Sequence, residues 1–318
     1  MLCPRHPGGS CNPLGTNGNM TPIQTWVGIM SVRKFLLPVS SSASADAALR
    51  AGLLLARMWN AHLEVLHVQS DTRDIAPFAG EGLSGALIED MMSATEREGD
   101  VRARSLRELF FKATQAAAVP VGAALRGVSQ PSASFITLSG REEQIVAHKA
   151  RLSDLTIVPH PLAGEDVAAA EALHAVLFDS GRPVLLAPVA LPASIGQRIA
   201  IAWNGTSNAA SALASVMPFV RQAQAVRILV SEDYSRRGPS GQEVQEYISH
   251  HGVEADIGVF RAIDKHTGAG LLAAAEAFGA DLMSMGAYST ASRLRQLILG
   301  GITRHVLENA QISVLMNR

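Results

Sequence analysis

Ser153-Asp154-Leu155-Thr156-Ile157-Val158 returns in altered form as Ala280-Asp281-Leu282-Met283-Ser284-Met285. In both places a helical stretch runs into a small residue, then Asp-Leu, then an apolar run of strand length. The chain around each copy has the same order of elements, the mark of an internal repeat. Upstream of the first copy, residues 34–39 (KFLLPV) read as a strand, 45–59 as an Ala/Leu-rich helix, and 62–68 (HLEVLHV) as a strand. A long polar helix over 82–117, a strand over 120–125 and a helix over 141–151 follow. Downstream come a helix over 168–179 and a last strand over 183–187 (PVLLA). Around the second copy, strands at 198–203 (RIAIAW), 226–230 (VRILV) and 256–262 (DIGVFRA) alternate with helices at 208–222, 241–251 and 268–278. A helix over 297–309 and a strand over 313–316 close it. Strands alternating with helices predict parallel sheets covered on both faces. The expected architecture is α/β, with two tandem doubly wound five-stranded parallel-sheet domains at 33–190 and 197–318 behind a disordered extension at 1–32.

Composition agrees with two cores. The 318 residues are 47% hydrophobic and 17% charged, and 27 basic against 28 acidic side chains give a formal charge of -1. That balance offers no electrostatic reason to expect a nucleic acid or an anionic membrane surface as partner. Both cysteines, Cys3 and Cys11, fall in the Gly/Pro/Asn-rich extension, the usage of a reducing compartment. With His6 they match no zinc spacing, so no metal site is expected.

Ligands of such sheets bind beyond the carboxyl ends of the strands, which directs attention to the loops after the first and fourth strands of each half. In the second half the first strand ends in Trp203-Asn204-Gly205-Thr206-Ser207, a turn whose Thr206 or Ser207 can cap the next helix. The fourth strand ends in Gly286-Ala287-Tyr288-Ser289, and after a loop containing Arg293 and Arg295 the pair Gly300-Gly301 opens a helix that contains Thr303. Glycines and a helix N-terminus make a cradle for phosphates. In the first half, Ser40 to Ser44 reads as a turn and helix cap, and Glu165-Asp166 stand where phosphate would sit, so no nucleotide is expected there. Gly268-Ala269-Gly270 reads as a helix start, His250-His251 as a helix end, and no Ser/His/Asp or Cys/His set converges on one face.

The loop from Gly286 to Gly301 resembles that of the universal stress protein family, whose nucleotide-binding members carry Gly, two residues, Gly, nine residues, then Gly and Ser or Thr. Ala280-Asp281-Leu282, His305-Val306-Leu307, the final Val314-Leu315-Met316 strand and Trp203-Asn204-Gly205 fit the same frame. Here Ser289 replaces the second glycine, ten residues precede Gly300, Gly301 replaces the hydroxyl residue, and Asn204 replaces a frequent Asp. Thr303, Arg293 and Arg295 are the groups left to compensate. The resemblance implies an adenine-nucleotide alpha-hydrolase-like fold and a cytoplasmic stress-response regulatory protein that is not an enzyme. It implies ATP or AMP in the C-terminal domain, held by Asn204, Gly205, Val230, Gly286, Ser289, Gly300, Gly301 and Thr303. It further implies a homodimer, pairing of the two domains within the chain through their apolar last strands, and an unidentified protein partner. The alternative expectation is an interaction module of the same fold that binds no nucleotide.

Overall fold

The computed structural model describes residues 32–69, 85–123, 130–160, 167–190, 193–232, 238–288 and 301–318. The extension expected to be disordered, with Cys3, His6 and Cys11, lies outside them except for Val32, as do Glu165 and Asp166. The first half runs β1 (Lys34–Pro38), α1 (Ser42–Trp59), β2 (His62–Gln69), α2 (Gly85–Ala116), β3 (Ser132–Ser139), α3 (Glu142–Ala150), β4 (Leu155–Val158), α4 (Val167–Asp179) and β5 (Val184–Leu186). The second repeats it with β6 (Arg198–Trp203), α5 (Ser207–Val220), β7 (Ala225–Ser231), α6 (Gly241–Ser249), β8 (Asp256–Phe260), α7 (Thr267–Phe278), β9 (Leu282–Gly286), α8 (Ile302–Asn309) and β10 (Ser313–Asn317).

All strands join one ten-stranded sheet in the order β3-β2-β1-β4-β5-β10-β9-β6-β7-β8. Within each half every pairing is parallel and the order is that of a doubly wound sheet. The halves meet where β5 pairs antiparallel with β10, Val184 opposite Met316 and Leu186 opposite Val314. Helices cover both faces, and each face has a core that continues across this seam. On one face Trp59 of α1 meets Phe219 of α5 edge-on, with ring centroids 5.3 Å apart.

The third strand differs from expectation. Val121 makes a single bridge to Ala133, whereas Ser132–Ser139 pairs with β2 along its whole length, His62 opposite Ser132 through Gln69 opposite Ser139. Ser132 and Ser134 hold the His62 ring, each hydroxyl 2.9 Å from one ring nitrogen. As an outer strand it has few apolar positions to bury, so its serines hide it from a hydrophobicity-based reading.

The repeated Asp-Leu has one structural task in both halves. Asp154 accepts from the backbone N–H groups of Arg33 (2.7 Å) and Lys34 (2.9 Å) at the entrance of β1. Asp281 accepts from those of Gly196, Gln197 and Arg198, all at 3.0 Å, and from the Ser194 hydroxyl at 2.5 Å, at the entrance of β6. The backbone N–H of each aspartate in turn donates to the carbonyl of Lys34 or Arg198. A carboxylate in this role satisfies strand-entry amides that have no ladder partner, and bonds to a charged acceptor are worth about 1.5–3 kcal/mol each at most.

Asp281→Ala is therefore expected to lower unfolding free energy by about 2–4 kcal/mol, and Asp154→Ala by less, in urea titrations of the full chain. Equal effects would contradict the difference in bond number. A pH effect follows from three buried histidines. Burial lowers His62, against the pull of Glu64 and with help from Lys34. It lowers His67 against the Val39 carbonyl and with help from Arg102, and lowers His160 against the Ala310 carbonyl. The unfolded chain, with histidines near about 6.5, takes up protons first. These groups thus add nothing to the pH dependence above about pH 7, and stability falls as pH drops below about 6.5, levelling once the folded-state values are passed. Urea midpoints measured from pH 8 to pH 5 check this.

Candidate functional site

At the carboxyl edge of the second half, β6 delivers Trp203 beside Val230 of β7, which it faces in register. The chain then turns through Asn204 and Gly205. Asn204 Oδ1 accepts from the Thr206 backbone N–H (3.2 Å) and hydroxyl (2.7 Å), which shapes the turn and leaves its Nδ2 as a donor. Thr206 caps α5 by accepting from Ala209 N. Gly205 has φ +72°, and its Cα side lies against the backbone of Gly238, where an added Cβ would sit 3.2 Å from the Gly238 Cα. The loop entering α6 is thus laid over this turn, and the Trp203 indole N–H donates to the Pro239 carbonyl at 2.8 Å. Gly241, at the start of α6, packs on Val230, whose Cγ2 would be 3.0 Å from a Cβ placed there.

Gly286 closes β9 against the first turn of α5. A Cβ there would stand 2.6 Å from Ala209 N and 2.7 Å from the Asn208 carbonyl carbon, so glycine is required for packing between the strand and the helix. The Asn208 side-chain amide locks the approach by donating to the carbonyls of Ala287 (2.7 Å) and Tyr288 (2.8 Å). Tyr288 carries φ +50°, a left-handed geometry costing a bulky residue on the order of 1 kcal/mol or more. It is held by this clamp, by a 3.4 Å contact from its N–H to Thr303 Oγ1, and by a 2.9 Å bond between its hydroxyl and Nε2 of His174 on α4. Burial pushes the Tyr288 phenol up, keeping it protonated at neutral pH. Gly301 caps α8 without a side-chain bond, and a Cβ there would meet nothing within 4 Å.

The structure therefore brings Asn204, Gly205, Val230, Gly286, Gly301 and Thr303 to the carboxyl edge of one sheet. Ser289, Gly300, Arg293 and Arg295 lie outside the described residues. Asn208 and Tyr288 are the positioning residues that sequence reasoning missed. An Asn in the first turn of a helix was the available signal for Asn208, and nothing in the chain announces the left-handed Tyr288. Among the described residues no group of three or more His, Cys, Asp or Glu could hold a metal ion.

Gly286→Ala is expected to destabilise the fold by about 1–3 kcal/mol, while Gly301→Ala stays within about 0.5 kcal/mol, since only the first drives a methyl into backbone. Thermal or urea denaturation of both variants checks the contrast.

Comparison with known proteins gives these features a family. Residues 197–318 match the model described as "Universal stress protein family". No curated protein matches the chain in sequence. A universal stress protein from Archaeoglobus fulgidus is similar in structure with TM-score 0.63 and 16% identity, covering 90% of this chain and 96% of that one. A universal stress protein from Lactobacillus plantarum reaches TM-score 0.35 and 18% identity over 49% of this chain and 97% of its own. A universal stress protein in complex with cAMP reaches 0.32 and 16% over 50% and 99%. The Archaeoglobus fulgidus similarity extends over both halves and shows the fold. The C-terminal half, residues 197–318, is a universal stress protein domain, and the N-terminal half carries a second copy of its fold.

Proposed function

We propose that the C-terminal half binds an adenine nucleotide, ATP or AMP, across the carboxyl ends of β6 and β9. The protein would then act in the cytoplasm as a nucleotide-responsive regulator of the stress response rather than as an enzyme. The observation that carries this reading is the start of α8. Gly301 gives its N-terminal amides no side-chain cap, and among the described residues nothing lies within 4 Å of a Cβ added at Gly301. The neighbouring α5 and α6 are closed by Thr206 and Ser240. An uncapped helix start beside Thr303 suits a phosphate, and the spare Asn204 Nδ2 suits a phosphate or ribose oxygen. The absence of any acidic side chain between Gly286 and Thr303 removes the usual metal carboxylates of phosphoryl transfer and favours binding over turnover.

A second reading, an interaction module without nucleotide, is favoured by Gly286 and Val230, whose open sides are filled by α5 and by Gly241. Self-association in either reading has the outer strands β3 and β8 and the helix faces to use, because β5 and β10 already pair within the chain. No helix among the described residues is long and apolar enough to cross a membrane.

Gly301→Asp separates the readings. Aspartate is a good N-cap, so the variant is expected to gain about 0.5–1 kcal/mol of stability, while its carboxylate repels phosphate and weakens ATP at least about tenfold. Calorimetry with ATP and AMP, and mass spectrometry of nucleotide carried through purification, read the outcome. Wild-type protein that carries no nucleotide and gives no heat at millimolar ATP would overturn the nucleotide reading and leave the interaction module.

A further inference from the structure

In the sheet of the described residues β3 and β8 are the outer strands, because the last strands of the two halves already pair with each other. An outer edge presents a row of unpaired N–H and C=O groups that another strand can join, and soluble proteins cover such edges or arm them with charge or proline. At β3 the entering chain does part of this. Val121 bridges to Ala133, with Gly122 N donating to the Ala133 carbonyl and Ala133 N to that of Pro120, both at 2.9 Å. No strand among the described residues covers the outer side of β8. Its run Ile257-Gly258-Val259-Phe260 holds no charge and no proline, and Val259 is 69% exposed.

The register with β7 fixes which backbone groups face outward. Glu232 N donates to the Phe260 carbonyl at 2.9 Å, which turns the polar groups of Phe260 toward β7. Successive residues of a strand send their N–H and C=O groups to alternate edges. Asp256, Gly258 and Phe260 therefore bond to β7, and Ile257 and Val259 offer theirs to the open side. The side chains of Ile257 and Val259 share one face of the sheet, the face on which Ile257 approaches Gly241 of α6.

We propose that β8 is the contact between two copies of this chain, each strand pairing antiparallel with its counterpart about a two-fold axis at Gly258. Such an axis, normal to the sheet, keeps every side chain on its own face, so the numbers of two residues that meet differ by an even amount. With Gly258 opposite Gly258, Ile257 meets Val259 of the copy twice. These are the residues with outward backbone groups, so each meeting exchanges two hydrogen bonds and sets two apolar side chains together, which covers Val259. Centred on Ile257 or on Val259 instead, the pairing would set an apolar side chain against Ala255 or Arg261. Charge favours the same direction. The strand is entered through Glu254 and Asp256 and left through Arg261 and Lys265, so antiparallel copies lay the acidic end of one beside the basic end of the other, whereas parallel copies would bring like charges together. Asp256 keeps Arg227 and Arg261 keeps Glu232 as partners within each chain. The contact is closed, so it makes a dimer rather than a filament, and it does not depend on the nucleotide reading.

The test is sedimentation velocity of the full chain from low micromolar to near-millimolar protein. A reversible monomer–dimer equilibrium is expected, weakened about tenfold or more by Val259→Lys, which places a cation on the contact, and changed less than about twofold by Leu152→Lys, a 78% exposed position of the other half. Amide hydrogen exchange read by NMR reports the register. Exchange at Ile257 and Val259 should slow as the concentration of wild-type protein rises, while Gly258 and Phe260, bonded to β7, stay unchanged. A chain that remains monomeric over this range, a dimer indifferent to Val259→Lys, or open-ended polymers would each overturn the proposal. So would slow exchange at Ile257 and Val259 that does not vary with concentration, the sign of a chain that covers its own edge.

Discussion

Antiparallel pairing of β5 with β10 is the constraint on which the rest of the molecule depends. The residues that pair across it are apolar and completely buried: Val184, Leu185, Leu186, Val314, Leu315 and Met316 are all 0% exposed. Left as outer edges, they would present unpaired backbone groups beside large apolar side chains, the combination that invites aggregation. Burying a side chain of this size is worth about 1.5–3 kcal/mol, so the seam supplies a substantial part of the stability of both halves. Because it also makes the two cores continuous, neither half has a finished core of its own, and the described residues 32–318 fall in one compact unit.

Inside that frame the aspartates of the repeat act at the opposite end of the strands from the candidate sites. Asp154 and Asp281 fix where β1 and β6 begin, and the parallel register of their neighbours follows. This explains why the Asp-Leu pair recurs in both halves. The pair serves folding geometry, which both copies need, and not ligand chemistry, in which the halves differ.

The order of strands and helices was legible because its signals are local, such as the serine and threonine caps, the apolar runs and the helical spacing of Ala and Leu. The third strand was not, because an outer strand held by serines on a histidine carries little hydrophobic pattern. At the candidate nucleotide site the sequence pointed to Asn204, Gly286 and Gly301, and the structure places all three at the carboxyl edge of the second half. The sequence did not tell that Gly286 is spent on packing against Asn208 and Ala209, since that requires knowing how closely a helix from one part of the chain approaches a strand from another. The cavity beside His67 at the carboxyl edge of the first half was equally hidden. Its wall draws on β2, α2, α3 and α4, elements far apart in the chain, so no local pattern announces it.

The antiparallel seam also sets how the two openings relate. Reversal of direction at β5 and β10 points the carboxyl ends of the first half one way and those of the second half the other, so the two openings face opposite ways. One element touches both ends: the first turns of α4 reach the N-terminal cavity at Ala168, and its last turns carry His174 and Phe178 against Tyr288, next to the start of the glycine loop. Thirteen residues make α4 about 20 Å long. A rod of that length with an end at each mouth joins the carboxyl edge of one half to the carboxyl edge of the other, so a shift of Tyr288 at one pole is felt along α4 toward the other.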